Sequence, residues 1–283
     1  MKEKIIALVS VYFPDESNIA NIIKICDQVD SCYVCDNSPN ATDKFSSLSK
    51  CQYLFNGGNL GLSLAFNKVL KSDGFRDDDF IIFFDQDSTI GDGYIKSLVC
   101  EYDKLTKQVL KIGGIGPNFY NSYSSKENTL LDEKTNVEPI KVDTLMTSSF
   151  LCKYSTLKDV CFWNEDIFLD LSDWDLCWRL KEKGFSCFII PHIILKHTLG
   201  KGEKKRAFIH IKEGSPFRVY YQTRDCLRLI TKKYVPVKSK LRFSLMLTIR
   251  PIIYLLFLGN KRERIKYFLK GIHDYQKGIR GSL

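Results

Sequence analysis

Two rhythms of apolar and polar positions alternate along the first third of the chain. Short apolar runs at residues 4–11, 31–35, 52–55 and 80–84 have the length of strands. Between the first two, Pro14-Asp15-Glu16-Ser17 opens a helical pattern that puts Ile19, Ile22, Ile23 and Cys26 on one face, and a second helix is expected from about Leu60 to Leu70. Strands alternating with helices predict parallel βαβ units, and so an α/β sheet with helices on both faces. Further on the pattern loosens. Gly113-Gly114-Ile115-Gly116-Pro117 and the polar run 121–128 read as loops, and 144–151 reads as a strand. A helix over 174–183, with Leu176, Cys177 and Leu180 on one face, is closed by Gly184 and followed by a strand at 185–190.

Ligands of such sheets bind beyond the carboxyl ends of the strands, and here those ends are polar. The second run ends in Asp36-Asn37-Ser38, the third in Asn56-Gly57-Gly58-Asn59-Leu60-Gly61, and the fourth in Asp85-Gln86-Asp87-Ser88. The glycines of the third let a backbone approach a ligand, and the helix after them offers its amino terminus to an anion. Their spacing is not that of the dinucleotide-binding fingerprint. Asp85 and Asp87, two apart at a strand end, can share one divalent cation; hard oxygen donors suit Mg²⁺ or Mn²⁺ together with a substrate diphosphate. An exposed acidic turn would look the same. Asp170, Asp173 and Asp175 crowd the start of the 174–183 helix. One acid is enough for a cap, which leaves Asp170 and Asp173 as candidate general bases. His197 fits a metal ligand, a phosphate contact or a structural histidine. Ser215-Pro216 starts a helix on which Tyr220, Tyr221 and Arg224 share a face, suited to a diphosphate or to packing on the body.

Composition narrows the class. With 283 residues, 44% hydrophobic and 27% charged, the chain can build a large core, and it is neither disordered nor polytopic. The ten cysteines are scattered, and no secretory leader is evident at the start, which points to reduced thiols in a cytoplasm. Cys32 and Cys35 lie three apart on one strand and so face opposite ways, as structural thiols. Charge is unevenly spread. Residues 1–195 carry 20 Lys and Arg against 28 Asp and Glu, whereas residues 196–283 carry 22 against 5, a net +17. Such a tail calls for a polyanionic partner. Residues 243–259 are apolar and aromatic between basic clusters, but the uninterrupted apolar stretch after Arg250 is half of a bilayer span. The pattern describes helices lying on an anionic membrane, or a terminal helix pair with a solvated basic face.

Taken in order, these motifs resemble glycosyltransferase family 2, in its bacterial rhamnosyltransferase branch. The matching segments are Val11-Tyr12-Phe13-Pro14, Asp36-Asn37-Ser38, Asn59-Leu60-Gly61 with Ala65 and Asn67, Asp85-Gln86-Asp87-Ser88, Phe168-Leu169-Asp170-Leu171-Ser172-Asp173-Trp174-Asp175, His197-Thr198-Leu199-Gly200, and Ser215-Pro216 with Arg218, Tyr220, Tyr221 and Arg224. Phe13, Asp175 and Asp225 stand where the branch usually has Asn, Glu and Asn. The resemblance implies a GT-A, Rossmann-like domain over residues 1–212 and a basic, membrane-associating helical extension over 213–283. It further implies an inverting hexosyltransferase with a nucleotide-sugar donor, dTDP-L-rhamnose in this branch, and a lipid-linked or polysaccharide acceptor in O-antigen or capsule synthesis. Location would be cytoplasmic, on the inner face of the plasma membrane, with a homodimer open to it. Donor contacts would come from Val11, Tyr12, Asp36, Asn59, Gly61, Asn67, Asp85, Gln86, Arg218, Tyr221 and Arg224. Mn²⁺ or Mg²⁺ would be held by Asp85, Asp87 and His197, and Asp173 would be the base, with Asp170 its rival.

Two other readings compete. Asp85-Gln86-Asp87-Ser88-Thr89 fits the nucleophile motif of haloacid-dehalogenase phosphatases, yet some 80 residues of βα units precede it and the later lysine and acidic pair have no clear counterpart. The basic tail fits nucleic acid in charge, but it carries no nucleic-acid motif and its aliphatic runs suit a phosphate track poorly.

Overall fold

β1 (Ile5–Val11) is buried along most of its length because helices cover both of its faces. The computed structural model describes residues 2–72, 74–121, 138–197, 203–206, 209–212 and 215–283. After β1 come α1 (Glu16–Asp27), β2 (Ser31–Asp36), β3 (Cys51–Phe55), α2 (Gly61–Leu70), β4 (Phe80–Asp85) and α3 (Tyr94–Thr106). The middle contributes β5 (Ile112–Asn121), β6 (Ile140–Val142), β7 (Phe150–Lys153), α4 (Tyr154–Asp159), α5 (Ser172–Glu182) and β8 (Ser186–His197). A hairpin of β9 (Glu203–Arg206) and β10 (Ile209–Lys212) precedes α6 (Pro216–Ile230), α7 (Val237–Phe257) and α8 (Lys261–Gln276).

Eight strands form one mixed sheet in the order β3-β2-β1-β4-β7-β5-β8-β6. Side chains alternate faces with period two. Ala7, Val9 and Val11 of β1 and Phe80, Ile82 and Phe84 of β4 pack under α1 and α3; Ile6, Leu8, Ile81 and Phe83 pack under α2, α4 and α5. Cys32 and Cys35 fall on opposite faces, and all ten thiols are free. In α1, Asp15 closes a capping box with Asn18, accepting from its backbone N–H at 2.9 Å. The buried face runs through Ile19, Ile22, Ile25 and Cys26, and Ile23 is exposed, because the sheet meets the other side of the 19–22–26 line.

Two expected loops and strands exchange places. The glycine-rich stretch 113–117 is part of β5: a Cβ on Gly114 would come within 2.6 Å of the Phe150 ring, and one on Gly116 within 3.2 Å of Leu145. These glycines let neighbouring side chains close on the strand rather than loosening it. Conversely, only Phe150 and Leu151 of the expected 144–151 strand belong to β7. The polar run 122–128 lies outside the described residues.

The expected division after residue 212 falls between β10 and α6. α6 and α7 dock on the body through a cluster of Ile167, Trp178, Cys226, Leu229, Val235 and Phe243, and α8 crosses α6 where Gly271 sits against Tyr220. Residues 237–257 form one helix with Pro251 inside it, not short pieces. Among the described residues no helix is long and apolar enough to cross a membrane.

Candidate active site

Register aligns the strand ends. β1 lies between parallel β2 and β4, with Val11 opposite Asp36, Ser10 opposite Asp85, and Asp36 opposite Phe55. The chain runs outward from β1 to β2 and β3, then returns to β4 on the other side of β1. A crevice therefore opens between the ends of β1 and β4, the position at which open α/β sheets bind ligands. Gln86 spans it. Its Oε1 accepts the Tyr12 N–H at 2.6 Å, and its Nε2 donates to the Tyr12 carbonyl at 3.3 Å. Tyr12 and Phe13 stand exposed beside this clamp with rings edge to face at 4.6 Å; the Phe13 backbone is left-handed (φ 50°) and its N–H is held by Ser38 Oγ at 2.8 Å.

The neighbouring loops are cross-braced. Asp36 is buried, accepting from the Ser38 N–H at 2.8 Å and the Tyr53 hydroxyl at 2.7 Å. Asn37 accepts from Asn56 at 3.1 Å and from the Leu60 N–H at 3.2 Å, and Asn59 accepts the Gly61 N–H at 3.0 Å. Val11 is buried and its carbonyl accepts the Asn37 N–H. Gly61 has φ 78°, and a Cβ there would stand 2.3 Å from the Phe168 carbonyl oxygen, which accepts the Leu62 N–H at 2.7 Å. Gly61→Ala is therefore expected to cost about 3 kcal/mol or more, through left-handed strain plus displacement of the 168 loop. Urea denaturation measures it, and an unchanged midpoint would refute the close approach.

Asp85 and Asp87 are half-buried at the end of β4. Beside them the chain enters β7, antiparallel to β4, through Thr147, Ser148 and Ser149, which sequence reasoning missed. Their polar run in an apolar context was the available signal. All three are buried; Ser148 Oγ donates to Asp85 Oδ2 at 2.5 Å, and Ser149, left-handed at φ 66°, donates its N–H to the Phe83 carbonyl at 2.6 Å. The Thr147 N–H reaches Asp173, so one short loop touches both the Asp85 carboxylate and the candidate base.

Asp173 lies in the first turn of α5 and accepts the Trp174 N–H at 2.8 Å. A helix amino terminus favours the anion. Burial outweighs it, and with the Asp85 charge nearby pushes the Asp173 carboxyl up to about 7. Asp170 differs: its oxygens take Arg218 at 2.5 Å and Gln222 at 2.8 Å, so it ties α6 to the loop. Phe168 anchors that loop. Its N–H goes to Asp225 at 2.9 Å and its ring stacks on Tyr221 at 4.0 Å.

Several expected donor contacts are placed in the interior. Asn67 is buried and binds the Trp163 backbone and Glu165; Tyr221 is buried and its hydroxyl accepts the Leu283 N–H at 2.9 Å. Arg224 is fully buried, donating to Asp225 at 2.9 Å, Tyr220 at 3.1 Å and the Gly281 carbonyl at 2.8 Å. Arg218 is half-exposed and paired with Asp170. The unusual Asp175 is also internal, taking Asn164, Arg179 and Tyr234. His197 ends β8 beside Asn121; its side chain, and residues 198–200, lie outside the described residues. Among the described residues no cluster of three or more His, Cys, Asp or Glu stands ready for a metal, so Asp85 and Asp87 are a partial, all-oxygen donor set. Such a set fits a hard divalent cation that keeps waters and takes further ligands from a diphosphate.

An α/β crevice with two carboxylates at its switch point and a half-buried acid close to Asp85 is an arrangement suited to nucleotide-sugar transfer. The comparisons agree. A crystal structure of GalNAc-T7 with UDP, GalNAc and Mn²⁺ superposes on 98% of this chain with a TM-score of 0.58 at 11% identity; the chain spans 57% of that one. No protein-family model matches the chain. It is 29% identical over 297 aligned positions to the dTDP-rhamnosyl transferase RfbF of Shigella flexneri, covering 99% of this chain and 97% of the relative. The chain is thus a glycosyltransferase with the GT-A fold, and its likeness to the bacterial rhamnosyltransferase branch holds over almost its full length.

Proposed function

We propose that this protein transfers L-rhamnose from dTDP-L-rhamnose, with inversion, to a hydroxyl of a lipid-linked or polysaccharide acceptor in cell-surface glycan synthesis. The observation that supports it most is the 147–149 loop, which touches both Asp173 and the Asp85 carboxylate. The name of the Shigella relative supports the donor. Asp85 and Asp87 are the residues that would hold Mn²⁺ or Mg²⁺, and such a cation when bound supplies positive charge to the departing diphosphate.

This chain's own residues divide the remaining work. The Gln86–Tyr12 clamp and the bonds from Asn37 to Asn56, Leu60 and Gly61 fix the crevice for the nucleotide. Asp173 Oδ takes the acceptor hydroxyl proton as the oxygen bonds to the anomeric carbon and the bond to the diphosphate breaks. An acid with its pKa near working pH is a stronger base than an ordinary carboxylate, yet still ionised in useful amount. Trp174 and Thr147 hold its orientation.

The base works only when ionised. The rate is therefore expected to rise with pH along an acid limb whose midpoint lies at or below about 7, because a cation beside Asp85 offsets part of the charge that raises it. That limb should still sit well above the ordinary carboxylate value. A kcat/KM profile that is flat from pH 4.5 to 8 would remove Asp173 from this role.

The test of the reaction is thermal unfolding with Mn²⁺ and a panel of nucleotide sugars, followed by transfer assays with the sugar that binds. A metal-dependent shift with dTDP-rhamnose supports the donor; a shift with a uridine sugar instead keeps the transferase and discards the rhamnose.

A further inference from the structure

α7 has two apolar faces. The inner one, through Phe243, Met246, Leu247, Tyr254 and Leu258 just beyond its end, packs against α5, α6 and α8. The outer one has no cover among the described residues. Val237, Leu241, Leu245, Ile249, Ile252 and Leu256 follow one another at steps of four, four, four, three and four residues, and each is 41–71% exposed. At 100° per residue this stripe lies on the side of the helix opposite Phe243 and Tyr254. A surface helix ordinarily turns a polar face outward, so six exposed aliphatic side chains in one row mark an interaction surface.

Charge selects the occupant. From residue 226 to residue 262 the chain carries nine Lys and Arg and no Asp or Glu. Lys238, Lys240, Arg242, Lys261 and Arg262 adjoin the stripe. A second copy docking by two-fold symmetry would set basic residues against basic residues with no acid between them. A nucleic acid would meet an aliphatic row where it needs donors to phosphate. An anionic bilayer satisfies both features: acyl chains accept the stripe and headgroup phosphates accept the flanking cations.

We propose that the outer face of α7 is a monotopic membrane-docking surface, lying in the headgroup region of an anionic bilayer with the stripe Val237–Leu241–Leu245–Ile249–Ile252–Leu256 toward the acyl chains. The sheet and its crevice are then held at the lipid surface, with no helix among the described residues long and apolar enough to span it. This surface is independent of the sugar transferred, and its test does not use turnover.

The full chain is mixed with vesicles of phosphatidylcholine alone or with 30% phosphatidylglycerol and sedimented, beside L241Q/L245Q/I249Q and a second variant, K238Q/K240Q/R242Q. The wild type is expected to bind the anionic vesicles at least tenfold more strongly than the neutral ones, and each variant to lose tenfold or more. The melting temperature of the aliphatic variant should be unchanged, since its three positions are exposed. Added salt should weaken the wild type and the aliphatic variant alike. Absence of binding by the wild type, or full binding by the aliphatic variant, overturns the proposal. So does a dimer in sedimentation velocity that the aliphatic variant converts to monomer, which would make the stripe a contact between copies.

Discussion

Replacing Asp173 by Asn is expected to lower kcat by about 10²–10⁴-fold, the usual worth of a positioned general base, with donor affinity changed by less than about threefold. Asn keeps the shape and can still accept the Trp174 N–H, so the loss reports the missing proton acceptor. A second readout separates this from structural damage. In the metal-free protein the folded Asp173 keeps its proton until about pH 7, whereas the unfolded chain releases it near 3.8. Between those values the folded state binds more protons, so the stability from this group is full below about pH 4 and is lost as pH rises through 7. Asp173→Asn removes that loss. The variant should melt like the wild type at pH 4 and above it at pH 8. A variant that is both inactive and less stable at pH 8 would mean that the residue is structural.

Asp170 provides the contrast. With an ion pair to Arg218 on one oxygen and a hydrogen bond from Gln222 on the other, both of its oxygens are already engaged. Asp170→Asn is expected to loosen α6 and raise the KM for acceptor more than it lowers kcat. If instead it abolishes transfer at unchanged KM while Asp173→Asn does not, the two roles are exchanged.

What could be read in advance follows from range. Strands β1, β2 and β4 were legible because both faces are largely buried, which writes continuous apolar runs into the chain, and the edge strand β3 was legible from its short β-prone run before Asn56-Gly57-Gly58; Asp36, Asn59 and Asp85 were legible because they follow those runs. The same local rules misled where distant residues decide. Gly113–Pro117 reads as a loop until Phe150 and Leu145 are seen pressing on β5. Thr147–Ser149 reads as strand because nothing nearby in sequence tells of Asp85, some sixty residues earlier. Arg224 has the residue type and helical spacing of a phosphate ligand, yet its partners are Asp225, Tyr220 and Gly281. A carboxylate at position 225, in place of the amide usual in similar chains, is explained by that same cluster: it accepts from Arg224 and from the Phe168 N–H at once. Motif order pointed to the strand ends, whereas which of the motif residues are engaged in the interior, as Asn67, Tyr221 and Arg224 are, required the third dimension.

Asp87→Ala is expected to eliminate metal-dependent donor binding, at least a hundredfold in affinity. The described donor set has two carboxylates, so losing one leaves a single protein charge to hold a strongly hydrated cation and its diphosphate. With ligand at 100 times its Kd, the wild type gains about 2.7 kcal/mol from linkage, which for a chain of this size corresponds to roughly 5–10 °C in Tm. The variant should show no metal-dependent shift at the same concentrations. A cation beside Asp85 offsets part of the charge that raises Asp173, so the high-pH penalty on wild-type stability should shrink on metal binding, and Asp87→Ala should lose that response. Preserved donor binding with Mn²⁺ in Asp87→Ala would show that the diphosphate is held by other cationic groups, and the aspartates at the end of β4 would then be parts of the scaffold.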